Sequence, residues 1–291
     1  MQSRSFFKLT DEKRGWAFIS PMIIFMMALY LYPLLHSSII SFKDKNGNWN
    51  GLLNYLQLFS DSMFWISLKN TVFFTIVSVI FHLIIGLGLA LLLNLKLRPL
   101  VMNFFRGVLM VPWLLATIVA AGIWVLIYHP VGILNYFFIS LHLISVPISW
   151  LGNPKIALLS VILVNVWKFY PLYMIMVLAG LKAIPIELYE AAKVDGAKPY
   201  QSFLHITLPH LRSVIIFMTL LDTIWTFRHF DLVYVMTGGG PMYKTELLTN
   251  YIYDVSFRNL QFNYGSTITI FMLIVSLIFS VFYLRLYHEG E

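Results

Sequence analysis

Long apolar stretches separated by short polar segments set the pattern of this chain. A bilayer core about 30 Å thick takes about 20 mostly apolar residues in a helix. Six stretches meet that length: Trp16–Ile40, Ser67–Leu95, Gly107–Tyr128, Ile156–Leu181, Val214–Met236 and Tyr264–Tyr287. The segments between alternate ends carry turn formers, in Lys43–Asn48, Trp150–Pro154 and Thr237–Pro241. Glycine and asparagine tolerate positive φ and proline redirects a helix, so these segments predict sharp loops. Asn135–Ile148 is apolar but too short to span and predicts an interfacial or re-entrant piece. The pattern predicts an all-α integral membrane protein with six transmembrane helices.

Composition agrees: 59% of the 291 residues are hydrophobic and 11% are charged, against about 25% charged in soluble domains. Without cysteine there is no disulfide, thiolate metal site or thiol nucleophile. The net charge of +7 raises nucleic acid as a partner, but the placement of the basic residues argues against it. Twelve basic residues lie on the side of the termini, among them Arg4, Lys8, Lys13, Arg14, Lys96, Arg98, Lys182 and Arg285. Five lie opposite (Lys43, Lys45, Lys155, Lys244 and Arg258), and Lys69, Lys168 and Arg228 fall in or beside spans. Basic loops stay in the cytoplasm, so both termini are expected there and no nucleic-acid role follows. Residues 4–14 resemble the basic start of a signal peptide. The apolar run that follows exceeds the roughly 7–15 residues of such a signal and no small-residue cleavage site follows, so the first helix reads as retained. The expected organisation is a cytoplasmic segment at 1–15, one membrane domain at 16–287 and a cytoplasmic tail at 288–291.

The cytoplasmic loop at 182–212 carries the most specific signal. Pro185 suits the first turn of a helix and Gly196 the left-handed residue that closes one. Pro199 then predicts a second short helix ending near Pro209. Ile186, Tyr189, Ala192 and Val194 interleave with Glu187, Glu190, Lys193 and Asp195. Such an amphipathic helix either packs as a lid on its own bundle or offers a face to a partner. Glu190-Ala191-Ala192, Gly196, Ile206 and Leu208-Pro209 resemble the EAA loop of membrane subunits of binding-protein-dependent ATP-binding cassette importers. That resemblance implies the type I importer permease fold, with the first helix of the loop acting as a coupling helix. It assigns Glu190, Ala191, Ala192, Asp195 and Gly196 to the contact with an ATPase subunit. Tyr200, where the sugar branch usually has tryptophan, and Ser213, where proline often follows, depart from the sugar-branch pattern.

Two further stretches, Ile162–Pro171 continuing through Gly180–Glu190, and Phe230–Pro241, resemble the maltose-type first permease subunits of sugar importers. By that resemblance Asn165, Lys168, Phe169, Leu172, Asp222, Thr226 and His229 line the substrate path. The loop of Gly238, Gly239, Gly240 and Pro241 faces an extracytoplasmic solute-binding protein. The implied partners are a second permease, expected to be a paralogue, two ATPase subunits that hold ATP and Mg, and a carbohydrate. The implied location is the cytoplasmic (inner) membrane of a prokaryote.

The residues themselves leave alternatives. Intramembrane charges commonly pair, so Asp222 with Arg228 or Lys168 is a purely structural reading. Conversely, Lys168, Arg228 and His229 beside one cavity suit an acidic or phosphorylated sugar. His82 reads as a satisfied bundle histidine. No phosphate-binding G-x-x-x-x-G-K-[ST] loop, H-E-x-x-H or G-x-S-x-G occurs, so the chain is expected to be non-catalytic and without a cofactor. A permease for another solute such as a polyamine, an ion-coupled carrier and a membrane enzyme are the competing classes.

Overall fold

The computed structural model describes residues 11–95 and 98–288. Arg4, Lys8, Lys96, most of the N-terminal segment and the tail beyond residue 288 lie outside the described residues. The described residues form helices and turns, with one isolated antiparallel bridge between Lys43 and Trp49. Five helical runs are long and apolar enough to cross a membrane: Gly15–Ile40, Ser62–Leu93, Ala157–Ala183, Pro199–Phe227 and Phe262–Leu286. A sixth is a bent pair.

Contacts divide the chain into two units, Met1–Ser60 with Val255–Phe271, and Asp61–Asp254 with Met272–Glu291. In the first, α1 (Asp11–Met26), a π-helical turn at Met27–Leu31 and α2 (Tyr32–Ile40) follow one another, and the apolar run Gly15–Ile40 within them has no buried residue. The following turn is built on Asp44, whose carboxylate accepts from the amides of Asn46 and Asn48. Chiefly the Asn48 amide holds that carboxyl below its usual range. Asn54 of α3 (Leu53–Ser60) donates to the carbonyls of Ser41 and Lys43, both at 2.8 Å, and locks the turn.

The second unit is built around α8 (Ala157–Ala183), the most buried span. Against it lies α4 (Ser62–Leu93), whose start is capped by the Asp61 carboxylate on the Met63 amide. Gly86 permits the approach. A methyl there would overlap Tyr173 Cβ and stand 3.0 Å from the Met174 nitrogen.

The third span departs from the sequence expectation. Gly107–Tyr128 is not one straight helix but α5 (Pro99–Leu114) and α6 (Thr117–Ile127), bent by 95°. Leu115 and Ala116 between them are extended, with ψ of 141° and 139°. Hydropathy counts apolar residues and is blind to backbone direction, so the break leaves no mark in it. Beyond α6 the chain forms a short helix, α7 (Ile133–Ser140), which overlaps the start of the short apolar segment. Asn135, fully buried, holds that segment. It donates to the carbonyls of His129, Pro130 and Ile148 and accepts from the Ile148 amide and Trp150 Nε1.

In the loop at 182–212, α9 (Ile186–Val194) ends before Gly196, whose φ is +74°. The second helix does not stop near Pro209. From α10 (Pro199–Ser202) the chain winds through a π-helical turn, Phe203–Thr207, straight into α11 (Leu208–Phe227). A proline inside a helix lacks the amide and crowds the carbonyl four residues back. The wider turn, in which the Leu208 amide bonds to the Phe203 carbonyl, takes up that misfit. The fifth span in turn ends at Phe227, earlier than the expected Met236. The chain restarts as α12 (Asp231–Met236), followed by α13 (Leu248–Tyr253) and α14 (Phe262–His288).

Candidate functional site

Phe169, Leu172 and Tyr173 of α8 face Asp222, Trp225 and Thr226 of α11 across a narrow cleft, with His229 at its edge. The ring of His229 stands edge-on to Phe169 at 5.7 Å and stacks on Phe74 at 6.0 Å. His229 lies past the end of α11, so the i, i+4, i+7 spacing with Asp222 and Thr226 is completed by the turn after the helix. About 20 Å³ of the cleft accepts the centre of a water-sized sphere, room for a single water.

Asp222 is buried, and its partner is neither Arg228 nor Lys168. His82 of α4 places Nδ1 2.8 Å from Asp222 Oδ2, and its Nε2 3.2 Å from the Asn165 carbonyl. Thr226 donates to Asp222 Oδ1 at 3.0 Å. Both ring nitrogens of His82 face oxygens. A neutral ring has a single N–H, so which of the two contacts it donates depends on the tautomer. His82 read from sequence as a satisfied bundle histidine; the partner that satisfies it is 140 positions away, beyond any local signal.

The remaining expected path residues divide. Asn165 is fully buried, and neither its amide oxygen nor its amide nitrogen has a hydrogen-bond partner among the described residues. Lys168 is 3% exposed and turns away from the cleft. Its Nζ lies 2.6 Å from the Leu115 carbonyl and 3.5 Å from that of Pro112. Arg228 caps the end of α11 and is exposed. Of the three cations expected beside one cavity, His229 therefore lines the cleft while Lys168 and Arg228 do not.

In the 182–212 loop, Tyr189 and Ala192 turn inward, the Tyr189 hydroxyl meeting Thr207 Oγ1 at 2.9 Å. Glu190, Ala191, Asp195 and Gly196 are exposed, and so are the apolar Ile186 and Val194, the latter at 88%. Packing on the bundle accounts for one face of α9 and leaves the other apolar and open.

The Thr237–Glu246 loop is closely built. Gly238 and Gly239 adopt φ of +56° and +87°, and a side chain at Gly239 would overlap the Glu246 carboxylate. Asn70 of α4 donates to the Tyr243 and Glu246 carbonyls, and Thr71 accepts from the Leu248 amide. Met242 and Tyr243 remain exposed at the tip.

A bundle of helices long and apolar enough to cross a membrane, with a narrow cleft of aromatic and a few polar side chains between α8 and α11 and an open helical face, defines a non-catalytic membrane subunit of a transporter. The chain belongs to the family of binding-protein-dependent transport system inner membrane components, whose model matches residues 82–288. It is 35% identical to the trehalose/maltose transport system permease protein MalF of Thermococcus litoralis, over 96% of this chain and 95% of that protein. It is 34% identical to the lactose transport system permease protein LacF of Rhizobium radiobacter, over 97% of each. The fold matches a chain of a bacterial ABC transporter involved in alginate import with a TM-score of 0.86 at 24% identity, over 96% of this chain and 97% of that one.

Proposed function

We propose that this chain is one of two membrane subunits of an ATP-driven importer and carries a carbohydrate through the cleft between α8 and α11. One observation supports this reading above the others: aromatic faces (Phe169, Trp225) and directed hydrogen-bonding groups (Asp222, Thr226, His229) converge on one cleft. Sugar rings stack on aromatics and their hydroxyls need fixed acceptors and donors. With Lys168 directed to the Leu115 carbonyl and absent from the cleft lining, the groups that face the cleft suit a hydroxyl-rich sugar. Relatives named for trehalose/maltose and lactose transport agree with that class.

In this reading an extracytoplasmic solute-binding protein delivers the sugar at the Gly238–Pro241 loop. Glu190, Ala191, Ala192, Asp195 and Gly196 present α9 to one of two ATPase subunits, which hold the ATP and Mg. The second permease, a paralogue, closes the path. Residues 16–287 form the membrane domain, with both termini on the cytoplasmic face of the inner membrane. The present cleft holds no more than a water, so α8 and α11 part when ATP closes the ATPases, and alternating access follows.

The test is ATP hydrolysis by the reconstituted complex with its binding protein across maltose, trehalose, lactose and a uronate oligosaccharide. A neutral sugar should stimulate hydrolysis and be taken up. Uptake that persists without the ATPase subunits, or stimulation by none of the sugars, would overturn the assignment.

A further inference from the structure

The break in the third span is a structural problem that one side chain solves. Where α5 ends at Leu114, its last carbonyls have no amide ahead of them, because Leu115 and Ala116 are extended. Carbonyls left open at a helix end need donors, and in a bilayer water is not there to supply them. Lys168 brings its ammonium to two of them, Leu115 at 2.6 Å and Pro112 at 3.5 Å. The same ammonium lies 5.2 Å from the centroid of the Phe169 ring. An ammonium has three donors, and two carbonyls and a π face occupy them. The end of a helix also carries partial negative charge, which a cation offsets.

We propose that Lys168 is the positioning residue of this elbow: its charge, not contact with the sugar, holds α5 and α6 at their 95° angle. Phe169, the next residue, touches both the ammonium and the cleft, so the corner of the third span and the wall of the sugar path share one support. Lys168 then governs how fast the path opens and closes, and not how tightly sugar is held.

The chain has no cysteine, so spin labels at Val108→Cys and Ile123→Cys, one on each side of the elbow, mark its angle. In the full complex, with the other subunits cleared of reactive cysteines, the interlabel distance distribution is measured for wild type, Lys168→Met, Lys168→Gln and Lys168→Arg. Lys168→Met should at least double the width of the distribution and lower the maximal uptake rate by about tenfold, with half-saturation by the sugar-loaded binding protein unchanged. Lys168→Arg, which keeps the cation, should restore both. A wild-type distribution in Lys168→Met overturns the proposal. If Lys168→Met fails to assemble, Lys168→Gln decides on the same criterion. Failure of all three variants alike, arginine included, or a change confined to half-saturation, also overturns it. Because the distance measurement needs no substrate, its outcome is independent of whether the cargo is a sugar.

Discussion

His82 on α4 and Asp222 on α11 meet at 2.8 Å in the centre of the second unit, the histidine fully buried. Each is the other's ionisable partner in the buried interior. Replacing one partner of a buried pair strands the other, at a cost of about 3–5 kcal/mol, whereas replacing both by apolar residues is often close to neutral. His82→Leu and Asp222→Leu should each destabilise the complex severely, and the double variant should recover most of the loss. A thermal-unfolding series of the four proteins in detergent gives the coupling; an additive double variant would show that the contact is energetically idle. Uptake should remain lost in the double variant, since the cleft has then lost its carboxylate.

The open face of α9 makes a separate prediction. Val194 is almost fully exposed, with Ile186 and Glu190 also exposed, while Tyr189 anchors the opposite face to Thr207. Val194→Asp or Glu190→Ala should leave membrane insertion intact and weaken association with the ATPase. A central interface residue contributes about 2 kcal/mol, or about thirtyfold in affinity. Co-purification of the ATPase subunits and sugar-stimulated hydrolysis should fall together. Normal coupling in both variants would leave α9 as a lid on its own bundle.

The features read correctly from sequence are those that local chemistry fixes. An apolar run of lipid-spanning length, Asp44 at a turn, and Gly196 closing α9 each act within a few residues. Features that depend on distant partners were not legible. The elbow at Leu115 is held by Lys168, more than fifty positions on, and Asp222 is paired by His82 from another span. Proline misled in one place for a physical reason: Pro209 stops an ordinary α-helix, but the π-helical turn before it lets the fifth span run on. Of the residues transferred by resemblance to the substrate path, Phe169, Leu172, Asp222, Thr226 and His229 share one cleft. Lys168 does not, because orphan carbonyls at membrane depth attract a cation more strongly than an empty cleft does.

The outer loop separates a folding role from a contact role. Gly239 needs both its positive φ and its missing side chain. Gly239→Val should therefore deform the loop at a cost of about 2 kcal/mol, exposing it to protease while the spans stay intact. Met242, 77% exposed at the tip, has no such duty. If the loop meets the binding protein, Met242→Ala should reduce binding-protein stimulation of ATP hydrolysis with no gain in protease sensitivity. Unchanged stimulation in Met242→Ala would place the docking surface elsewhere.

Gly86 and Gly88 lie two residues apart on α4 and should behave oppositely. A methyl at Gly86 would overlap Tyr173 Cβ and press on the Met174 nitrogen and the Tyr170 carbonyl at 3.0 and 3.2 Å, whereas a methyl at Gly88 meets nothing. Two of those neighbours are backbone atoms of α8, which move only if the helix does. Overpacking of this kind costs about 1–3 kcal/mol, while Gly→Ala in an unobstructed helix gains up to about 1 kcal/mol in water-measured propensity. Gly86→Ala should therefore lower the unfolding temperature of the complex and Gly88→Ala leave it level or raise it. The position also matters for function. His82 sits one turn before Gly86 on the same face of α4, so a shift between α4 and α8 pulls its Nε2 from the Asn165 carbonyl and turns the ring away from Asp222. Gly86→Ala should accordingly cut sugar uptake by more than its stability loss explains, and adding His82→Leu to it should lower uptake little further. Equal behaviour of the two glycine variants, or independent effects of Gly86→Ala and His82→Leu, would break the link between the α4–α8 approach and the cleft.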